Sequence, residues 1–204
     1  NNRLKIIEKE KLETELIFLR AQLNPHFLFN ALNCIHVLMK EDIKLAEQTL
    51  LKFSNLIRYQ LYDCNNNKTS LEKEVSFLND YIALEYVRNN ENRKINFEII
   101  NPIDNLKIAP FILLPFVENA FKHLSHFKSQ INTINIKINS INQHMNFEIH
   151  NTYDQSDTNI NYSGIGLYNV KRRLDLLYPN KYSLKNYQSD GKYTVILSIA
   201  LHEI

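Results

Sequence analysis

From Leu12 the apolar residues Leu12, Leu16, Leu19 and Leu23 alternate spacings of four and three, the seam of a coiled coil or helical bundle. Continuing that rhythm lands on His26, Asn30 and Asn33, all polar, while Phe27, Ala31, Ile35 and Leu38 supply a new apolar stripe. The buried face is therefore expected to rotate around the helix at Pro25, where proline removes a backbone hydrogen bond, leaving His26 toward solvent. After the polar connection Lys40-Glu41-Asp42, a second stripe of Ile43, Ala46, Leu50, Phe53 and Ile57 predicts another helix. So short a turn predicts antiparallel packing. Two copies of the pair would make a four-helix bundle, so a homodimer through residues 1 to 63 is expected.

The polar break Asn65-Asn66-Asn67-Lys68 reads as a domain boundary, and Thr69 with Glu72 reads as a capping box opening a helix that carries Leu71, Val75, Leu78 and Ile82. Beyond it the period becomes two. Ile95, Phe97 and Ile99 alternate, as do Ile134, Ile136 and Ile138, then Phe147 with Ile149, then Val195, Leu197 and Ile199. Two further helices are expected at about 111–124 and 167–178, the second closed by Pro179. The fold class is α+β: a helical hairpin over 1–64, then a two-layer α/β sandwich over 67–204. The stretch from Asn151 to Gly164 is too poor in apolar residues to pack and reads as a loop.

Composition narrows the class without naming it. With 204 residues, 44% of them apolar, the chain can fill a sizeable core. The net charge of +2 comes from acids and bases spread along the chain, so no nucleic-acid or lipid surface is indicated. Cys34 and Cys64 stand far from any metal or disulfide spacing, which favours a reducing compartment, and no apolar run is long enough to span a membrane. Without an initiating Met, the chain reads as a soluble fragment of something longer.

Glycine is the informative residue, because only three occur, and Gly164 and Gly166 nearly touch in sequence. They follow a polar loop and open a helix, a placement that lets a phosphate approach backbone N–H groups at the positive helix end. Lys171, Arg172 and Arg173 follow on the next turn. The third glycine sits in Asp190-Gly191, a hairpin signal. Helical spacing also stacks Glu118 over Lys122 and Asn119 over His123, with Val117, Ala120, Phe121 and Leu124 on the opposite side. His123 and His126 lack a third ligand, so structural zinc is not expected.

Three ordered motifs then carry a resemblance. Gln22-Leu23-Asn24-Pro25-His26-Phe27-Leu28-Phe29-Asn30, Leu114-Pro115-Phe116-Val117-Glu118-Asn119-Ala120 with Lys122-His123, and Gly164-Ile165-Gly166-Leu167-Tyr168-Asn169-Val170 with Arg173-Leu174 closely resemble the kinase core of LytS-like sensor histidine kinases. The resemblance covers essentially the whole chain and implies an ATP-binding domain of the GHKL (Bergerat) type, the fold shared with gyrase and MutL. It implies that His26 is the phosphoacceptor for ATP and that Asn119 helps hold Mg²⁺. Glu118, Lys122 and His123 would lie around the triphosphate, with Arg173 adding positive charge. Gly164, Gly166, Leu167 and Asn169 would border the nucleotide loop, residues 152–163 would form a lid, and Asn151 would meet adenine where relatives usually carry Asp.

The same resemblance implies a response regulator, commonly a transcription factor, as the partner that receives the phosphoryl group on an aspartate. It also implies a parent protein anchored in a bacterial inner membrane, of which this chain is a cytoplasmic fragment. Phe27 follows the histidine where many histidine kinases carry an acid, so no general base is identified beside it. A degenerate core serving as a dimeric scaffold is the alternative reading, prompted by Asn151.

Overall fold

The computed structural model describes residues 25–63, 67–88, 92–125, 131–154 and 165–203. The Leu12 to Leu23 seam, Gly164 and most of the expected lid lie outside those residues. Helix α1, Pro25–Glu41, is followed after one residue by α2, Ile43–Tyr62. Asp42 is extended and its side chain accepts from Leu45 N at 3.0 Å, capping α2. Both helices lie on α3, Leu71–Arg88. The chain reverses at Asp42: Phe27 near the start of α1 stacks on Tyr81, beside the point where Lys52 and Asn55 of α2 reach Asp80 of α3. The expected α1 stripe holds for Phe27, Ala31 and Ile35, which are buried, while Leu38 is half-buried; of the polar residues His26 and Asn33 are exposed and Asn30 is half-buried.

The α2 stripe needs correction. The face turned to α3 carries Ala46, Thr49, Leu56 and Tyr59. Ile43 and Leu50, expected inside, are exposed, in the company of Leu51, Phe29, Val37 and Met39. The helix has two apolar faces, and α3 covers the one nearer its own chain. The cap of α3 also differs. Thr69 belongs to the two-residue strand β1, Thr69–Ser70, and Ser70 caps instead, its hydroxyl accepting from Lys73 N at 3.3 Å.

The remaining elements are β2 Arg93–Ile99, β3 Leu106–Ile108, α4 Leu114–Lys122, β4 Asn132–Ile141, β5 His144–Thr152, α5 Ile165–Leu177, β6 Tyr182–Ser189, β7 Lys192–Ala200 and β8 His202–Glu203. Five strands form the main sheet in the order β2-β4-β5-β7-β6, parallel between β2 and β4 and antiparallel elsewhere. Ile134, Ile136 and Ile138, Phe147 and Ile149, and Val195, Leu197 and Ile199 are all buried on one face of this sheet, as their alternation requires. Ile99 is exposed at the edge strand, so its alternation with Ile95 and Phe97 overstates its burial. Asp190 and Gly191 have φ of 51° and 70°, the conformation of the tight hairpin their sequence signals, and they join β6 to β7. A second small sheet, β1-β3-β8, closes the end of the molecule near the start of α3. Phe27, Leu56 and Tyr59 from the first two helices share one hydrophobic cluster with α3, α4, α5 and the sheet.

Candidate functional site

Helix α4 buries Phe116, Val117, Ala120 and Phe121 and turns Glu118, Asn119 and Lys122 outward. Pro115 sits in the first turn, where its missing N–H costs nothing. Lys122 is exposed, and Glu118, Asn119 and His123 are half-buried, so the i,i+4 grouping read from the sequence exists as one accessible face. Burial, with the Glu85 charge second, pushes the Glu118 carboxyl up to about 7. Glu85 is itself buried on α3, paired with Arg88 at 2.7 Å and taking a bond from Tyr81 Oη at 3.4 Å.

The C-terminal end of α4 is pinned to the end of β5. Asn151, almost wholly buried, donates from its amide to the carbonyls of His123 at 3.3 Å and Thr152 at 3.1 Å. Ser125 N donates to the Thr152 carbonyl at 2.9 Å, and Ser125 Oγ donates to Asn132 Oδ1 at 2.6 Å. Asn151 therefore stands beside the end of α4, with its amide hydrogens committed to the backbone. Ser125, Asn132 and Thr152 were not singled out from the sequence, because their partners are brought in by the sheet and no short-range spacing marks them.

Helix α5 packs against α4. Gly166 lies in its first turn, with Leu167 and Asn169 half-buried beyond it, which is the helix opening expected of the glycine pair. Arg173 is placed differently from the expectation of a phosphate contact. It is 4% exposed, and its guanidinium donates to the carbonyls of Phe111, at 3.3 Å, and of Pro110. The sequence grouped it with Lys171 and Arg172, which are exposed, but the helix turns Arg173 inward with Val170 and Leu174. A partner 62 residues away leaves no local signal.

His26 is exposed at the start of α1, and the Asn30 amide lies 3.2 Å from its Nδ1 and 3.3 Å from its Nε2. Its neighbour Phe27 stacks on Tyr81 with centroids 4.7 Å apart, and Tyr81 meets Phe121 of α4 edge-on at 6.4 Å. Three aromatic rings thus link the residue after His26 to the helix that carries Glu118 and Asn119. Burial and the charges of Glu85 and Glu118 raise the Tyr81 hydroxyl far above its ordinary value, so it is a neutral hydrogen-bond donor at all working pH values.

A magnesium nucleotide asks for few protein ligands, hard oxygens among them, and leaves the rest to water and phosphate. An amide oxygen at Asn119, a carboxyl at Glu118 and an ammonium at Lys122 on one exposed face fit that demand. Among the described residues no group of three or more His, Cys, Asp or Glu is arranged to hold a metal. Cys34 is a free thiol whose pKa burial raises, and Cys64 lies outside the described residues.

Known proteins resemble this chain along most of its length. The histidine kinase family pattern matches residues 14–93. The sensor protein LytS of Staphylococcus saprophyticus is 30% identical over 94% of this chain and 34% of its own length. The sensor histidine kinase BtsS of Escherichia coli is 30% identical over 90% of this chain and 33% of its own. The chain spans about a third of the length of the curated relatives it matches. The histidine kinase domain of the Erythrobacter litoralis EL346 blue-light activated histidine kinase superposes with a TM-score of 0.52 at 10% identity, covering 98% of this chain and 95% of that one, a likeness of fold. No helix among the described residues is long and apolar enough to cross a membrane. Over nearly all of its length the chain is similar to the LytS-like sensor histidine kinases.

Proposed function

We propose that this chain is the phosphorylating core of a two-component sensor, which transfers the γ-phosphoryl group of ATP to His26 and then to an aspartate of a response regulator. The observation that carries the reading is the aromatic link from Phe27 through Tyr81 to Phe121, which ties the start of α1 to the buried side of α4, the helix whose other side carries Glu118 and Asn119. In the first step a bare nitrogen of the neutral His26 ring attacks the γ-phosphorus. The bond from that phosphorus to the bridging oxygen breaks, ADP leaves, and the ring gives up the proton of its other nitrogen. Such a transfer needs positioning and charge stabilisation more than covalent help.

On this reading Asn119 would hold a magnesium ion, whose charge would offset that developing on the phosphates. Lys122 and His123 face the triphosphate, and Glu118 on the same helix receives the ring proton. Gly164, Gly166, Leu167 and Asn169 border the nucleotide, with 152–163 as its cover and Asn151 near the adenine. Arg173 acts one layer back, by holding the turn that leads into α4.

Residues 1–64 serve as the dimerising phosphoacceptor unit and 67–204 as the nucleotide unit. The exposed apolar face of Phe29, Val37, Met39, Ile43, Leu50 and Leu51 supports a homodimer, since a second copy would cover it. Sensing and membrane anchoring are assigned to portions of such proteins outside the matched third. A response regulator with a transcription-factor output fits the phosphorelay.

A second reading, a nucleotide-free dimeric scaffold, is favoured by Asn151 alone, whose amide is turned to backbone carbonyls where an acidic adenine acceptor is usual. Calorimetric titration of the chain with Mg-ATP separates the two. Saturable binding in the millimolar range or tighter, followed by passage of label to a purified receiver domain, supports the kinase. No heat at several millimolar nucleotide supports the scaffold.

A further inference from the structure

The turn Ala109-Pro110-Phe111, which feeds the chain into α4, is held from two directions. On one side Glu74, completely buried in the first turn of α3, accepts Phe111 N–H at 3.0 Å and the hydroxyl of Tyr59 at 2.5 Å, both on the same carboxylate oxygen. On the other side α5 supplies Arg173, which donates to the Pro110 and Phe111 carbonyls, and Tyr178, the residue after its end, accepts Ala109 N–H on its hydroxyl at 2.7 Å. Phe111 is held at φ 56°, a left-handed conformation that a bulky residue adopts only when its surroundings impose it. Its ring meets Tyr59 and Phe77 edge-on at 5.4 and 5.1 Å, and Tyr59 stacks on Phe77 at 4.7 Å.

An aromatic cluster of this kind would pack as well without a carboxylate at its centre, and burying the charge is costly. What the polar contacts add is direction. Tyr59 belongs to α2, the helix paired with the one that carries His26, so its hydroxyl reports the position of that pair to a carboxylate that also holds the entry to α4. We propose that Tyr59 is a positioning residue: through Glu74 and the strained Phe111 turn, it registers the phosphoacceptor helices against the nucleotide helix, so that the rate of phosphoryl transfer depends on this joint while nucleotide affinity does not. A rigid-body shift of α2 breaks or makes one bond and thereby releases or fixes the first turn of α4. The inference rests on the kinase reading given above.

Tyr59→Phe in the full chain tests it, because the ring contacts remain and only the hydroxyl is lost. The expected result is a fall of tenfold or more in the rate of His26 labelling at saturating Mg-ATP. The KM for ATP should change less than twofold, and backbone amides of 109–113 should exchange faster with deuterium. Glu74→Gln, which keeps the shape and one acceptor, should give a smaller fall of the same kind and stands in if the first variant fails to fold. Ile138→Val is the control: it thins the sheet core away from the joint, and should lower the melting temperature with the labelling rate unchanged. An unchanged rate in Tyr59→Phe, or a rate loss matched by a rise in KM, overturns the joint while leaving the kinase reading intact. Absence of label on the wild-type chain overturns the kinase reading, and the joint with it.

Discussion

Arg173 and Glu74 show what a single residue does here that its neighbours in sequence do not suggest. Arg173 looks like one of three surface cations, yet it satisfies two buried carbonyls and offsets the Glu74 charge. Arg173→Ala should therefore cost about 2 to 3 kcal/mol of stability in urea unfolding, because it leaves two buried carbonyls without their donor, whereas Lys122→Ala should leave stability nearly unchanged and weaken Mg-ATP binding. Burial raises the Glu74 carboxyl, outweighing Tyr59, Phe111 and Arg173, which lower it. Its folded pKa is thus above the unfolded value, so its contribution to stability is fully present below the unfolded pKa and is lost as pH rises. From about pH 4.3 upward, wild type should lose stability relative to Glu74→Gln, and a flat difference across that range would contradict the assignment.

Among the elements, those with one apolar face were readable and those with two were not. β4 and β5 alternate over the residues expected inside and β7 does so from Val195 onward, and every alternate residue they predicted inside is inside. In α2 the residues Ile43, Leu50 and Leu51 compete with Ala46, Leu56 and Tyr59, and periodicity cannot say which set meets its own chain. The strands β1, β3 and β8 are two or three residues long, too short to show any period. Strand β6 is mostly polar, and only the Asp190-Gly191 turn hinted at it. The face of α4 was legible because i,i+4 spacing is local, while the Ser125, Asn132 and Thr152 contacts were not, being made across the sheet. At this scale the single-residue break between α1 and α2 depends on its cap. Asp42→Ala should destabilise the helix pair by about 1 kcal/mol, read as a lower denaturation midpoint.

For the whole molecule, the first two helices and the sandwich share one core, yet one flank of the helices stays uncovered. If a second copy covers that flank, Leu51→Glu, at a residue 65% exposed in one chain, should shift the protein from dimer to monomer in sedimentation while leaving its far-ultraviolet circular dichroism unchanged. A monomeric wild type at tens of micromolar would remove the bundle from the account. The phosphoacceptor helix and the nucleotide helix must then meet, within one chain or across two, through the geometry around Tyr81.

The measurement that reaches furthest is the location of phosphate after incubation with γ-labelled ATP and magnesium. The account predicts an acid-labile, base-stable label on the chain, mapped to His26 and lost in His26→Gln while that variant still binds Mg-ATP. Label that persists in His26→Gln, or a wild-type chain that binds Mg-ATP and acquires none, would contradict it.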